Sequence, residues 1–367
     1  MTTRLNSIDL LRGVVIILMA LDHVRHFFGP TVFSPVDLTQ TSPELFLTRW
    51  ITHFCAPVFM FLAGVSAFLY SNKGRSQSEL SFFLVTRGIG LILLELTVVS
   101  LSWQAPFAVV QVIWALGWSM IMLALLIKLP HWLIAIVALG MIIGHHFFDG
   151  IELNLTENWR PLWMVLHVPG KINLGGHQIR IVYPLIPWIG VMAVGYLLGP
   201  LFLVDQKTRQ HLFLTMGSGL VIIFLLLRYF NSYGDASLWS TQERGVIYTG
   251  LSFINTTKYP PSLLFLLMTL GPTLIVLPLV ENLSGHISQV FIRLGRVPLF
   301  FYLIHIPIIR LLAIIWSHYL GHWPNKYQPN LWLVYGVWIS VILILYPLCY
   351  WFSEIKRHHQ KWWLSYL

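Results

Sequence analysis

Charge is what this sequence has least of. Only 10% of its 367 residues are Asp, Glu, Lys or Arg, and 56% are hydrophobic, whereas soluble domains carry roughly 25% charged residues. The shortage excludes a water-soluble globular chain. Apolar stretches recur through to the C-terminus, so a separate soluble domain is excluded too, and we read 1–367 as one membrane domain. Cysteine is nearly absent. Cys55 and Cys349 both lie in apolar segments without a metal or redox motif around them, and read as packing residues. There is no P-loop, no Rossmann glycine pattern, no His-Glu-x-x-His and no Gly-x-Ser-x-Gly. The adjacent pairs His145-His146 and His358-His359 point to different helix faces and make poor chelators, so no metal is expected. No internal repeat is visible, which weakens the case for a transporter built from inverted halves. The first apolar run has no cleavage site after it and contains charges, so it does not read as a signal peptide.

What is present is a series of spans. Ten segments are long and apolar enough to cross a bilayer: 8–28, 50–70, 81–102, 106–127, 130–148, 180–202, 211–230, 259–281, 296–318 and 330–352. The expectation is an all-α polytopic membrane protein of about ten transmembrane helices. The net charge of +9 is scattered over short loops, which suits orientation in a membrane better than nucleic-acid binding. Lys73, Arg75, Lys128, Lys207, Arg209, Arg293, Lys356, Arg357 and Lys361 fall on one side if both termini are cytoplasmic. Asp37, Glu44, Asp149, Glu152, Glu157, Asp235 and Glu243 then fall on the other. Two outer loops, 149–179 and 231–258, are long and rich in aromatic and glycine residues, which points to ordered caps, such as short helices over a cavity. Gly140-xxx-Gly144 and Gly195-xxx-Gly199 read as close-packing positions between helices.

Within the first span lies an ionisable seam of Arg12, Asp22, His23, Arg25 and His26. Each Arg or Asp near a helix centre costs about 2.5–3.5 kcal/mol on insertion scales, so the seam marks a site. Arg12 and His23 are about 20° apart on the helix wheel, and His26 lies about 40° to the other side of Arg12. His53, at the outer start of the second span, is expected at the depth of His23 and His26. Histidine is the natural general base for an amine or hydroxyl, and Asp22 is four residues from His26, within reach to orient it. Other polar residues inside the membrane are Arg87, Glu95, Gln111, Tyr302, His305 and Arg310. Tyr302 and His305 share a helix face. Glu95 reads as paired or protonated in the bundle rather than catalytic. At the outer surface, Lys258 and Arg180 are placed to bind an anionic group, with Tyr183 beside Pro184.

The opening Arg4-Leu5-Asn6-Ser7-Ile8-Asp9-Leu10-Leu11-Arg12-Gly13, with Leu18-Met19-Ala20-Leu21-Asp22-His23, resembles the heparan-alpha-glucosaminide N-acetyltransferase-like family. The segments from His53 to Gly64, Tyr183 to Trp188 and Gly295 to His305 are similar to its bacterial branch, so the likeness covers nearly the whole chain. Arg12 and His23 also match the arginine, ten residues, histidine spacing of the related acyltransferase-3 family. The resemblance implies acyl transfer across a bacterial inner membrane. A thioester such as acetyl-CoA would donate from the cytoplasm to an amine or hydroxyl of a sugar or glycan on the far side. Its catalytic histidine belongs after the first helix, at a place that falls near Ser34 here. By the acyltransferase-3 spacing we therefore rank His23 first, then His53 and His26, with Asp22 and His53 tuning or orienting His23. Arg12 is assigned to donor phosphates or to holding the helix through Asp9, Arg87 and Arg296 to the donor, and Lys258, Arg180 and Tyr183 to the acceptor. Lipids are partners, and a homodimer is compatible with the sequence. The rival is a proton-coupled transporter or channel using the same seam.

Overall fold

The computed structural model describes residues 6–103, 108–151, 154–324 and 330–359. Arg4, Leu5, Glu152, Lys361 and the first two residues of the 106–127 segment lie outside the described residues. In chain order the helices are α1 (Asn6–Phe28), α2 (Pro43–Trp50), α3 (Cys55–Ser71), α4 (Gln77–Leu94), α5 (Ser100–Trp103), α6 (Val112–Leu126) and α7 (His131–Ile143). They continue with α8 (Arg160–Leu166), α9 (Ile186–Leu198), α10 (Gln206–Phe230), α11 (Val246–Ile254), α12 (Leu263–Leu279), α13 (His286–Arg296), α14 (Pro298–Leu320) and α15 (Leu331–His358). Three short strands, β1 (Ala108–Val110), β2 (Gly170–Leu174) and β3 (His177–Ile181), are the described exceptions to an all-α chain.

Among the described residues, seven continuous helical stretches are long and apolar enough to span a membrane: Pro43–Ser71, Gln77–Trp103, His131–Phe148, Gln206–Phe230, Leu263–Asn282, Pro298–Leu320 and Leu331–His358. Two shorter apolar helices, Val112–Leu126 and Ile186–Phe202, stand where two more spans were expected. The tenth is α1, which carries Asp9, Arg12, Asp22 and Arg25 and so is too charged to qualify on composition. All ten expected segments are thus helical, in an integral membrane protein. Large apolar side chains on these spans face outward, as at Leu93, Ile136, Leu343 and Trp351. Hydrocarbon is the solvent that suits them.

Several boundaries differ from expectation for local reasons. The 180–202 segment begins as strand β3, and its helix starts only at Ile186, with a proline in its first turn where a missing N–H costs nothing. The 259–281 helix likewise starts beyond Pro260 and Pro261, at Leu263. Arg293, Gly295 and Arg296 belong to a separate helix, α13, which stops at Val297 before α14 begins at Pro298. Where polar residues meet helix ends they cap them. Ser76 and Glu79 form a capping box on α4, and Asp205 accepts from Thr208 N at α10.

The chain divides into two compact units. Unit 1 is Met1–Cys55, Trp239–Asn255 and Ile275–Leu367; unit 2 is Ala56–Leu238 and Thr256–Leu274. In unit 1, α1 is the buried centre, packed by α13, α14 and α15. Its crossing with α13 needs two glycines. A Cβ on Gly13 would strike the Phe291 carbonyl, and one on Gly295 would strike the Asp9 carbonyl. The backbones therefore touch, as in small-residue membrane crossings. In unit 2, α4 packs on α6, and α9 on α6 and α7. Gly195 meets the Phe61 carbonyl and Gly199 the Phe68 ring, as close-packing positions should. Gly140 and Gly144 do not: no atom lies within 4 Å of a Cβ built on either, so that expectation is corrected. The 149–179 loop holds α8 and a hairpin; β3 pairs antiparallel with β2 and parallel with β1. Gly175 and Gly176, at φ 56° and 83°, make the hairpin's two-residue turn.

Candidate functional site

The last turns of α1 place Asp22, His23 and Arg25 inside unit 1. His23 Nδ1 lies 2.6 Å from Nε2 of His305 on α14, across 282 positions of sequence, and the rings are stacked with centroids 4.9 Å apart. His305 is fully buried. Its Nδ1 is 2.6 Å from the Tyr302 carbonyl and 3.2 Å from that of Phe301, and only an N–H can be accepted there. A neutral His305 therefore keeps its proton on Nδ1 and offers Nε2 as a lone pair. His23 must then donate from Nδ1, which leaves the lone pair of His23 on Nε2. The hydrogen-bond network, not observed protons, assigns these tautomers. The outcome is an imidazole whose basic nitrogen is fixed by a second imidazole.

The neighbouring carboxylate is held by cations. Asp22 Oδ1 accepts from Arg25 Nη2 at 2.9 Å and Nε at 3.2 Å, while Oδ2 accepts from Arg49 Nη1 at 2.7 Å. Arg49 also donates to Thr52 Oγ1 at 3.0 Å. This clamp ties the end of α1 to the end of α2 with side chains only 10–19% exposed. His53 is 3% exposed, on the 3-10 turn Ile51–Phe54 that packs against α1. His26 is exposed, its ring edge-on to Phe27.

Toward the start of α1, Asp9 is buried between Arg12 at 3.7 Å and Arg296 of α13 at 3.8 Å. Two of the three arginines assigned to a donor thus share one carboxylate. Arg87 lies in unit 2 on α4, its guanidinium 5.7 Å from the Phe83 ring centroid. Also in unit 2, Tyr183 is buried with its ring 5.2 Å from that of Tyr259, and Lys258 Nζ is 5.3 Å from the Tyr259 ring centroid. Arg180 is exposed on β3, directly opposite Lys171 of β2. Glu95 sits in a π-helical turn, Glu95–Val99, where its Oε2 accepts from the amides of Ile113 and Trp114 at 3.2 and 3.1 Å. It caps the N-terminus of α6 from a distance, a structural task.

His145 and His146 need a correction. The rings of these neighbours lie 4.0 Å apart on a 3-10 turn, and with Asp149 their ligand atoms fall within 4.8 Å of one another. His146 Nε2 accepts the Leu263 amide at 3.1 Å and Nδ1 lies 2.9 Å from Asp149 Oδ2. A neutral His146 in these bonds has no lone pair left for an ion. The cluster is a joint between the end of α7 and the start of α12. The sequence reading gives no role to Arg49, Tyr259 or Asp235. Arg49 was open to detection, since it begins the span expected to bring His53 to the depth of Asp22.

A family model described as heparan-alpha-glucosaminide N-acetyltransferase, catalytic, matches residues 4–230. No curated protein matches the chain.

Proposed function

The chain belongs to the heparan-alpha-glucosaminide N-acetyltransferase catalytic family, and from that membership we propose that it moves an acetyl group from acetyl-CoA to an amine or hydroxyl of a sugar or glycan across the bacterial inner membrane. The observation that carries the chemistry is the 2.6 Å His23–His305 contact, which leaves Nε2 of His23 as a fixed base. In the proposed step, His23 Nε2 takes the proton of the acceptor amine or hydroxyl as that atom attacks the thioester carbonyl. The tetrahedral intermediate collapses, the C–S bond breaks, and the leaving thiolate recovers the proton from the His23 imidazolium. The products are an amide or ester and free CoA. Throughout, Nδ1–H of His23 stays bonded to His305, so the charged form that arises midway has its partner in place.

Asp22 serves through its arginine clamp, which fixes the end of α1 that carries His23. Arg12 and Arg296 are our donor-side contacts, where cations flanking one buried carboxylate retain net positive charge for phosphates. Arg87 is a third. The distribution of basic loops supports cytoplasmic positions for both termini. Lys258 and Tyr183 are assigned to the acceptor, with Arg180 at the exposed rim. His53 and His26 remain the second and third choices for the base.

The test is CoA release from acetyl-CoA by the purified protein in detergent, with amino sugars and neutral sugars as acceptors. Acceptor-dependent release that is lost in His23→Ala supports the reading. Full activity in His23→Ala, His53→Ala and His26→Ala alike removes the histidine mechanism. Solute uptake into vesicles without any acetylated product would favour transport instead.

A further inference from the structure

Unit 2 holds a lysine whose side chain is largely buried and has no counter-ion among the described residues. Lys258 is 9% exposed, and no hydrogen bond or ion pair joins it to another described residue. Its one contact of note is the Tyr259 ring at 5.3 Å. A largely buried side chain whose charge has no such partner is costly to keep, and its exposed tip is open to an anion.

The loop holding it is tightly built. Asp235 Oδ1 accepts from Ser237 N at 2.8 Å and Thr257 Oγ1 at 2.7 Å; Oδ2 accepts from Thr257 N at 2.8 Å and Ser262 Oγ at 2.7 Å. Beyond the lysine, His146 accepts the Leu263 amide. Asp235 is the acid of this network, and its oxygens are spent on fixing residues 237, 257 and 262. It holds the lysine's loop and does not neutralise the lysine. The Tyr259 hydroxyl donates to that of Tyr183 at 3.5 Å, at the same aromatic pair.

We propose that Lys258, on the Tyr259–Tyr183 pair, is the binding point for a single oxyanion of the ligand, a carboxylate or a phosphate. This deepens the acceptor assignment above and rests on that reading only for calling the bound molecule a substrate. Asp235 is the positioning residue of the site.

The experiment uses the full chain in neutral detergent as wild type, Lys258→Met and Lys258→Arg. The probes are CoA, which carries phosphates; glucuronic acid, which carries a carboxylate; and glucose, which carries neither. Dissociation constants are read by tryptophan fluorescence. Lys258→Met is expected to weaken one acidic probe by about tenfold or more, Lys258→Arg by less, and neither to change glucose. Loss on CoA assigns the oxyanion to the donor, and loss on glucuronic acid to the acceptor. Unliganded Lys258→Met should melt no lower than wild type, since it removes an uncompensated charge. A second measurement needs no variant: the acidic probe, and not glucose, should slow reductive methylation of Lys258 in the wild type, followed by peptide mass spectrometry. Equal binding of both acids by wild type and Lys258→Met, or no binding and no protection by either acid, overturns the proposal. Turnover is not required, so Lys258-dependent acid binding without CoA release would remove the acetyltransferase reading alone.

Discussion

On the proposed mechanism, replacing His305 separates a base that is merely present from one that is held. In His305→Leu the ring that accepts from His23 Nδ1–H is gone, while Leu fills much of the buried volume. His23 is then free to carry its proton on Nε2, where it cannot act as a base, and its imidazolium loses a bonded partner in the transition state. Losing a hydrogen bond to a group that becomes charged costs about 1.5–3 kcal/mol. That corresponds to a fall of about 10- to 150-fold in kcat. His305 is 0% exposed, so it meets no substrate, and KM for acetyl-CoA should change by less than about threefold. His305→Gln keeps an acceptor oxygen near the lost Nε2 and should recover much of the rate. The assay is CoA thiol release with kcat and KM resolved, on protein whose melting temperature shows it is folded. Wild-type kcat in His305→Leu refutes the tautomer argument. So does a loss confined to KM, or equal damage from Leu and Gln.

Further outcomes follow from packing and charge. Gly13→Ala drives a methyl into the Phe291 carbonyl and should destabilise unit 1 by about 1–3 kcal/mol or more, whereas Gly140→Ala meets nothing within 4 Å and should be neutral in a detergent melt. Asp22→Asn and Arg49→Gln should each lower the melting temperature, at a cost of about 2–5 kcal/mol for stranding a partly buried partner. The double variant should cost less than their sum, and strict additivity would show that the clamp couples nothing. Glu95→Gln keeps an acceptor for the Ile113 and Trp114 amides and should be tolerated, while Glu95→Ala should cost about 1–2 kcal/mol as a lost cap. Asp37 is held below the ordinary 3.8 by the Thr39 side chain and amide. A depressed carboxylate lends stability above its unfolded value that is lost as pH falls through the folded one. Asp37→Asn should therefore flatten the fall of melting temperature in acid, and an unchanged acid slope would count against that.

The helices were legible because hydropathy is local. Every one of the ten apolar segments holds a helix, and errors concern where each begins, as at Ile186 and Leu263, where prolines delay the start. Helix α13 was hidden because its alternating character, with buried Ile292 beside half-exposed Arg293, is that of a surface helix and not a span. The seam on α1 was visible as an excess of ionisable residues. Its partners were not: His305 is 282 positions away and Arg49 is 27 from Asp22. Glu95 reads in the sequence as paired or protonated, but its bonds to the Ile113 and Trp114 amides depend on a π turn aimed at another helix, which spacing alone does not encode.

The order in which a ribosome makes the chain gives the His23–His305 pair a schedule. Asp22 finds Arg25 within one turn of its own helix, and Arg49 as soon as the second span follows. Those early bonds cover the charges that hydrocarbon would penalise most during insertion. His23 waits much longer, because its partner lies beyond residue 230, outside the segment that the family model matches. On the proposed mechanism, a nascent protein lacks its held base until the late spans arrive. A fragment ending at 230 would keep the segment that the family model matches but lack His305, and on the proposed mechanism supplying the remaining spans as a second polypeptide should restore acetyl transfer.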